Sequence, residues 1–394
     1  GLAAVNPRSG CALVKTHPNK SEGNVKKQLL TTTALVAAGM ITATGSANAI
    51  KLGLGGFQEA ILGAVDNKTN RSGVRRGVGF DVGHDGEIHF KASETLDNGL
   101  KIRTRVELES ATSSADQIDE AYISVSGNWG EVRIGSEDNA AHLMVTPTMG
   151  SWATNVGQNL NFDVTDWVIL PTGHNRNGTS RLDLGEGDAE KVTYFTPRVG
   201  GFQAGVSYMP SGEEDKSGSV SPVTATIQDG WAAAANYRAK FGGVGVGLAA
   251  GYAEANRAGG TPGTVEEPED PKGYSVSGKV SFAGVTLAAG YMNRINFDSG
   301  SGSASGGTSL DLGAKYDFGK NHVSVGYVHN ESEGAKSVSA DDESDRLMVS
   351  YRRDLAKGIQ YRLNFMYGDF EGETSGTSDD NEGFAVTTSV RVSF

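Results

Sequence analysis

Apolar and polar residues alternate with a period of two in this chain, in segment after segment about ten residues long. In Lys101–Glu109, one face consists of Ile, Thr, Val and Leu, and every residue of the other face is charged. Such alternation is typical of a β-strand with one apolar and one polar face. By itself it fits a soluble sandwich as well as a membrane barrel. No sustained apolar stripe of helical period follows Ile50, so the sequence predicts an all-β fold.

Sixteen segments of this kind follow the first fifty residues, and the number is even. They are predicted at residues 51–65, 78–96, 99–110, 117–127, 130–137, 190–198, 201–209, 229–241, 243–254, 272–282, 284–296, 307–318, 321–332, 344–354, 358–370 and 383–394.

The connections between these segments alternate between short and long. The long ones, such as Pro210–Gln228 and Glu333–Glu343, are rich in Gly and acidic residues. An up-and-down barrel places its short turns at one rim and its long loops at the other, whereas a Greek-key sandwich disrupts this order. We therefore predict a 16-stranded antiparallel transmembrane β-barrel. Its short turns use Gly or Asn-Gly for positive φ, at Asp97-Asn98-Gly99, Asn128-Trp129-Gly130, Gly200-Gly201, Gly242-Gly243, Ala283-Gly284, Gly319-Lys320 and Lys357-Gly358.

Composition excludes several other classes. The 394 residues include 35 Lys+Arg and 47 Asp+Glu, a formal charge of -12, which argues against a basic nucleic-acid binder. The single cysteine, Cys11, excludes an intramolecular disulfide framework and a zinc site built on cysteines. No run of 18 apolar residues is present, which argues against membrane-spanning helices. We expect no nucleic-acid partner and no metal ligand set.

The N-terminal segment has the sequence pattern of an export signal. Lys26 and Lys27 precede the apolar and small-residue run Leu29–Thr44, which closes on the A-x-A pattern of Ala47, Asn48 and Ala49. We interpret residues 25–49 as a signal peptide and residues 1–24 as an over-extended N-terminus, with initiation at Val25. Cleavage would leave a mature barrel over residues 50–394 with a charge of -16, because five basic residues and one acidic residue are removed.

Three stretches resemble the Gram-negative general porin family, in the branch seen in alphaproteobacteria. They are the leader KKQLLTTTALVAAG, the strand-turn-strand AEKVTYFTPRVGGFQAGVSYMP at 189–210, and the C-terminus GFAVTTSVRVSF, where apolar residues alternate back from Phe394. Glu190-Lys191 stand where that family commonly has Asn-Ser. The resemblance covers Lys26–Phe394, and its C-terminal pattern is similar to the signal read by the barrel assembly machinery.

The resemblance implies a homotrimer of outer-membrane barrels, each with a water-filled pore narrowed by its third external loop. Such a protein passes ions and small hydrophilic solutes by diffusion, without a cofactor or a chemical step. Here residues 138–189 form the longest connection, and it is the third on the long-loop side. We expect this loop to fold inward against the wall, because Trp152, Leu160, Phe162 and Trp167 are too apolar for a solvated loop.

Charges on the inward register would set the pore field. The candidate pore-lining bases are His89, Lys91, Lys101, Arg103, Arg105 and Arg133, joined by Arg346, Arg352, Arg362 and Arg391, with Glu87 on the same register. The candidate acids of the loop are Asp163 and Asp166, with Asp183, Glu186 and Asp188 near its exit. We predict a basic wall facing an acidic loop. The alternative is that Arg and Glu pair across neighbouring strands and simply hold the wall together.

Two further readings stay open. The acidic clusters at 266–270, 341–343 and 379–382 could bind calcium and bridge to lipopolysaccharide, or they could be solvated loop tips. The long outer loops also fit a barrel with an adhesive or structural role, in which we would expect bulky apolar residues inside. An enzyme is disfavoured, because the chain has no G-x-S-x-G, HExxH or P-loop motif. For a channel, we expect a weak preference for cations.

Overall fold

The computed structural model describes residues 50–68, 78–110, 117–159, 163–171, 174, 182, 187–214, 227–257, 270–296, 306–333, 341–372 and 380–394. The predicted N-terminal extension, the signal peptide and its cleavage site at Ala47 and Ala49 lie outside these residues. The barrel unit spans residues 49–95 and 99–394. Among the described residues, no helix is long and apolar enough to cross a membrane.

The barrel consists of sixteen antiparallel strands, each paired with its neighbours in sequence, and the first pairs with the last. This confirms the predicted fold class. The strands are β1 (Lys51–Asn67), β2 (Val78–Thr95), β3 (Lys101–Glu109), β4 (Ile118–Gly127), β5 (Gly130–Ser136), β6 (Glu190–Phe195), β7 (Phe202–Ser211), β8 (Ile227–Phe241), β9 (Val244–Arg257), β10 (Lys272–Phe282), β11 (Val285–Ile295), β12 (Gly306–Phe318), β13 (Asn321–Ser332), β14 (Asp342–Ala356), β15 (Ile359–Glu371) and β16 (Asn381–Ser393).

Closure of the barrel depends on the C-terminal strand. β1 and β16 pair in register from Phe57 opposite Ser393 to Asn67 opposite Gly383. The ladder continues to the last residue, because the backbone N–H groups of Gly56 and Phe394 each donate to the other's carbonyl at 3.1 Å. β1 is therefore hydrogen-bonded on both sides, and the barrel has no free edge there.

Tight turns join every second pair of strands, as the glycines indicate. Gly200, Gly242, Gly319 and Gly358 have φ values between 58° and 75°, which L-residues with a side chain rarely adopt. β6 is shorter than the predicted 190–198. Pro197 explains this, because proline has no N–H to extend the ladder.

The outer face of the barrel is apolar and the inner face is largely polar, as period-two alternation requires. On β1 and β2, for example, Leu52, Leu54, Phe80 and Val82 are exposed on the outside. The inward positions of the same strands include Glu59 and Glu87. The apolar belt matches the surface that a barrel presents to lipid.

The connection between β5 and β6, residues 137–189, is called L3 below. It contains the short helices α1 (Ala140–Val145), α2 (Gly150–Thr154) and α3 (Asp163–Trp167), with a 3-10 turn at Thr146–Thr148. In the part of the chain that the structure describes, the buried apolar clusters lie between L3 and the inner wall. The described part of L3 therefore folds into the barrel.

Candidate pore constriction

L3 is fastened to the inner wall through its own backbone. The N–H of Ala140 donates to Ser207 on β7 at 2.8 Å, and the N–H of Ser151 donates to Asp311 on β12 at 2.5 Å. Farther along, the N–H of Gln158 donates to Asn364 on β15 at 3.3 Å. These polar wall residues satisfy N–H groups that would otherwise be buried without a partner. L3 follows the inner wall from β7 round to β15.

Glycines on the wall let L3 approach closely. A Cβ atom added to Gly251 on β9 would lie 2.8 Å from the Cβ of Ala141 in α1. One added to Gly290 on β11 would lie 2.4 Å from Met149. Side-chain carbons do not approach so closely, so these glycines create the space for L3. The chain has 55 glycines in 394 residues, about twice the average usage of about 7%, and this role explains part of that excess.

The second half of L3 packs near the barrel seam. Val164 and Val168 are buried in one cluster with Met348, Met366 and Phe370 of the wall.

Asn67 and Asn381 fix the chain just after α3. The side chain of Asn67 accepts from the Ile169 N–H at 3.0 Å, and Asn381 donates to the Ile169 carbonyl at 2.7 Å. The ring of Trp167 lies directly over Gly63 of β1. Trp167 thus packs on the wall, as its apolar character indicated, whereas Leu160 and Phe162 lie outside the described residues.

A lysine holds the two ends of L3 together. The buried Lys191 Nζ donates to the carbonyls of Glu137, Gly187 and Ala189 at 2.6, 3.0 and 2.7 Å. Three residues earlier, burial, together with the nearby carboxylates of Asp138 and Asp119, raises the pKa of the loop residue Asp188 to about 8. Lys191 belongs to the Glu190-Lys191 pair that stands where the family commonly has Asn-Ser. In this protein the pair includes the residue that joins the two ends of L3.

L3 leaves open a cavity of about 900 Å³ against β1–β4, β15 and β16, called the acidic cavity below. Seven carboxylates and two arginines line it, a formal net charge of -5. The carboxylates are Glu59, Asp81, Asp85, Glu87, Glu109, Asp119 and Asp166, and the arginines are Arg362 and Arg391.

A second cavity, of about 410 Å³, lies on the same wall nearer to the short turns, and is called the basic cavity below. Five bases and one acid line it, a formal net charge of +4. They are Lys51, Lys91, Arg103, Arg105, Arg133 and Glu131. Because Glu87 and Lys91 are on the same strand, the two cavities follow one another along the pore axis.

Ion pairs organise both cavities. In the acidic cavity, the buried Glu59 binds Arg362 at 3.0 Å and Arg391 at 3.5 Å. In the basic cavity, Arg133 binds Glu131 at 3.2 Å and Glu137 at 2.6 Å.

Arg105 is paired in the same way. It contacts Glu107, and it lies 3.8 Å from Glu120. Glu120 lies on the neighbouring strand β4, as pairing across strands requires, whereas the partners of Arg133 lie on its own strand and at the start of L3.

Comparison with known proteins gives a family for this architecture. The sequence model described as Gram-negative porin matches residues 31–391. The chain belongs to the Gram-negative porin family. A porin of Halomonas named a monosaccharide porin is 24% identical over 94% of this chain and all of its own length. Outer membrane porin protein 32 of Delftia acidovorans is 28% identical over 47% of this chain and 49% of its own length.

Solved structures show the same fold at low identity. The anion-selective porin from Comamonas acidovorans aligns with a TM-score of 0.59 and 18% identity, over 88% of this porin and all of its own chain. The trimer form of OmpT from Vibrio cholerae aligns with a TM-score of 0.57 and 15% identity, over 88% and 100% of the two chains. This porin is an outer-membrane channel for passive diffusion.

The structure distributes the predicted pore residues of this porin between the two cavities. His89 and Asp166 line the acidic cavity, and Lys91, Arg103, Arg105 and Arg133 line the basic cavity. Lys101 shares the inward register of β3 but lines neither, and the side chain of Asp163 lies outside the described residues, as do Asp183 and Glu186.

The charge separation differs from the predicted one. A basic wall facing an acidic loop would separate charge across the pore, whereas the two cavities separate it along the pore axis. L3 contributes Asp166 to the acidic cavity, and the wall contributes its other acids. Sequence reasoning missed Asp81, Asp85, Glu109 and Asp119, although Glu109 ends the same charged register as Arg103 and Arg105.

Proposed function

We propose that this porin passes ions and small hydrophilic solutes between L3 and the wall of β1–β3, with a weak preference for cations. The observation that carries this is the formal charge of -5 in the acidic cavity beside L3. Carboxylates around a narrow passage concentrate cations and repel anions. The solutes are selected by charge and size, and no catalytic step takes part.

The preference is weak because the basic cavity lies in series and has the opposite sign. Its effective charge is lower than its lining indicates. Glu107, Glu120 and Glu137 contact Arg105 and Arg133, and counting these three acids reduces the formal charge from +4 to +1. The negative charge of the acidic cavity therefore outweighs it.

Reversal potential across a planar bilayer under a KCl gradient tests this proposal. We expect the wild type to favour K⁺, and the double variant Asp81→Asn/Asp166→Asn to lose part of that preference. Glu254→Gln is the matched control, because Glu254 lies on the outer face of β9. An anion-selective wild type, or equal shifts in the control and the double variant, would contradict the proposal.

A homotrimer is the proposed assembly. β5 and β6 have 7 and 6 residues, fewer than the roughly 9–11 that a tilted strand needs to cross a membrane. Their outward residues Ile134 and Val192 are nevertheless exposed and apolar. A neighbouring protomer packed against β5 and β6 would shield these short strands from lipid. Native mass spectrometry of the refolded protein tests this, and a monomer in mild detergent would contradict it.

Calcium at the outer loops is a separate proposal, with lipopolysaccharide phosphates as the bridged partner. Asp341, Asp342 and Glu343 lie in the described part of the chain, whereas Glu266, Glu267, Glu269 and Asp379 lie outside it. Thermal unfolding with and without Ca²⁺, in the presence of lipopolysaccharide, measures whether these carboxylates bind the ion. No rise of the unfolding temperature with Ca²⁺ would argue for solvated loop tips.

A further inference from the structure

A histidine and two glutamates converge on one point of the pore wall. His89 and Glu87 are two residues apart on β2, and Glu107 lies directly opposite His89 on β3. The same imidazole nitrogen, Nε2, lies 2.6 Å from the Glu87 carboxylate and 3.2 Å from the Glu107 carboxylate. One donor atom from each of the three residues lies within 4.8 Å of the other two.

This convergence distinguishes His89 from two other histidines of the barrel. Nδ1 of His322 contacts Asp317 at 2.7 Å, and Nε2 contacts Asp354 at 3.1 Å. These carboxylates lie at opposite nitrogens of the ring, so they cannot share one ion with the imidazole. His329 has the same arrangement, with carboxylates at both ring nitrogens. At His89, both carboxylates meet at one nitrogen, which is the geometry that a shared ion requires.

The surroundings supply charge and space for a cation. Glu107 contacts Arg105 through Oε1, which leaves Oε2 directed at His89. Glu87 also belongs to a second group of close carboxylates, with Glu109 and Asp119. Glu87 and His89 line the acidic cavity, so water can complete the coordination.

We propose that Glu87, His89 and Glu107 bind a divalent transition-metal ion, of which Zn²⁺ is the representative. Tetrahedral Zn²⁺ with bonds of about 2.0–2.1 Å places its ligand atoms about 3.3 Å apart. The distance from His89 to Glu107, 3.2 Å, matches this spacing, and the carboxylate of Glu87, now 2.6 Å from the same nitrogen, would move outward by about 0.7 Å to admit the ion. The imidazole decides the class of metal, because Ca²⁺ and Mg²⁺ prefer sites made entirely of oxygen. A bound Zn²⁺ adds two positive charges to the acidic cavity and so reduces the cation current through the pore.

Calorimetric titration of untagged, refolded porin with ZnCl₂ in detergent tests the site, with CaCl₂ titrated in parallel. We expect one high-affinity Zn²⁺ per protomer and weaker binding of Ca²⁺. His89→Gln keeps a polar side chain of similar size and should weaken Zn²⁺ binding at least about tenfold. His322→Gln is the matched control, because it removes a histidine that also lies between two carboxylates, and it should leave the affinity unchanged. Heat-modifiable electrophoresis confirms that each variant is folded.

Three results would overturn the site. The first is a wild type that binds no Zn²⁺, and the second is an equal loss of Zn²⁺ affinity in the two histidine variants. The third is equal affinity for Ca²⁺ and Zn²⁺, because that would indicate a general attraction of cations. Calorimetry needs no channel activity, so its outcome is independent of the proposed function. As a second measurement, Zn²⁺ should lower the K⁺ current of the wild type but not that of His89→Gln.

Discussion

Opposite charges in series make a channel conduct unequally in the two directions, and this porin carries them in its acidic and basic cavities. When the long-loop side is positive, cations enter through the acidic cavity and anions through the basic cavity, so both accumulate between them. The reverse potential depletes both. We expect a larger current when the long-loop side is positive, and we expect Lys91→Glu/Arg103→Glu to abolish the difference.

The dimensions of the basic cavity give the magnitude of the anion enrichment in it. A volume of about 410 Å³ equals that of a sphere of about 5 Å radius, so an ion in the basic cavity lies about 6 Å from the lining charges. At that distance, with a dielectric constant of about 80 and the Debye length of about 10 Å in 0.1 M salt, each charge contributes about 0.4 kcal/mol. The net charge is +1 when the three paired acids are counted and +4 when only the lining is counted, so the basic cavity contributes between about 0.4 and about 1.5 kcal/mol, which concentrates a monovalent anion between about twofold and about 13-fold.

The double charge reversal lowers the charge of the basic cavity by four, from +4 to 0 by its lining or from +1 to -3 with the three paired acids counted, and the enrichment of anions disappears. In 0.1 M KCl we expect a current ratio between the two polarities of at least about 2 for the wild type and near 1 for the variant. In 1 M KCl the Debye length falls to about 3 Å, so the wild-type ratio should also approach 1.

Single-channel recording at matched positive and negative voltages measures the ratio, with all channels inserted in one orientation. Lys272→Glu/Lys320→Glu is the matched control, because it makes the same change of charge at exposed positions, at the start of β10 and in the turn after β12. A symmetrical wild type in 0.1 M KCl would refute the reasoning. So would an unchanged ratio in the double variant.

Three further perturbations address L3 and closure of the barrel. Gly251→Val should push α1 off the wall and change the conductance, whereas Gly278→Val, whose side chain would meet Leu248, should leave the conductance unchanged in the same recordings. The folded pKa of Asp188, about 8, lies above its ordinary value of 3.8, so its contribution to stability is complete below about pH 4 and is lost as pH rises through 8. Thermal unfolding temperatures between pH 4 and 8 should therefore fall less for Asp188→Asn than for the wild type. Deleting Phe394 should lower the yield of folded barrel in the outer membrane, measured by heat-modifiable electrophoresis, because it removes both hydrogen bonds to Gly56; an undiminished yield would contradict a role in assembly.

The sequence was sufficient for the strands and their order because period-two alternation and turn glycines are local signals. Lys101–Glu109 shows this, since Arg103, Arg105 and Glu109 line the inner cavities, whereas Val106 of the other face lies opposite the exposed Phe90. The inward folding of L3 was also predictable, because Trp167 is too apolar to be solvated. The path of L3 along the wall was not predictable, because it depends on partners that are far away in the sequence, such as Asp311 for Ser151 and Asn364 for Gln158.

The direction of the charge separation could not be predicted for a similar reason. Alternation shows that Glu87 and Lys91 face the pore, but it does not show which residues of the neighbouring strand lie opposite them. Register decides this, because it places Glu87 opposite Glu109 and Lys91 opposite Arg105. Like charges thereby gather at two levels along the pore. Convergence of Glu107 and Glu87 on His89 depends on the same register.

Single-channel conductance of the mature, refolded porin in a planar bilayer tests the central claim most directly, that the lumen beside L3 is an open, water-filled pore. We predict large steps that close in groups of three, one for each protomer of the proposed trimer. Absence of conductance from protein shown to be folded would contradict an open pore and would favour an adhesive or structural barrel.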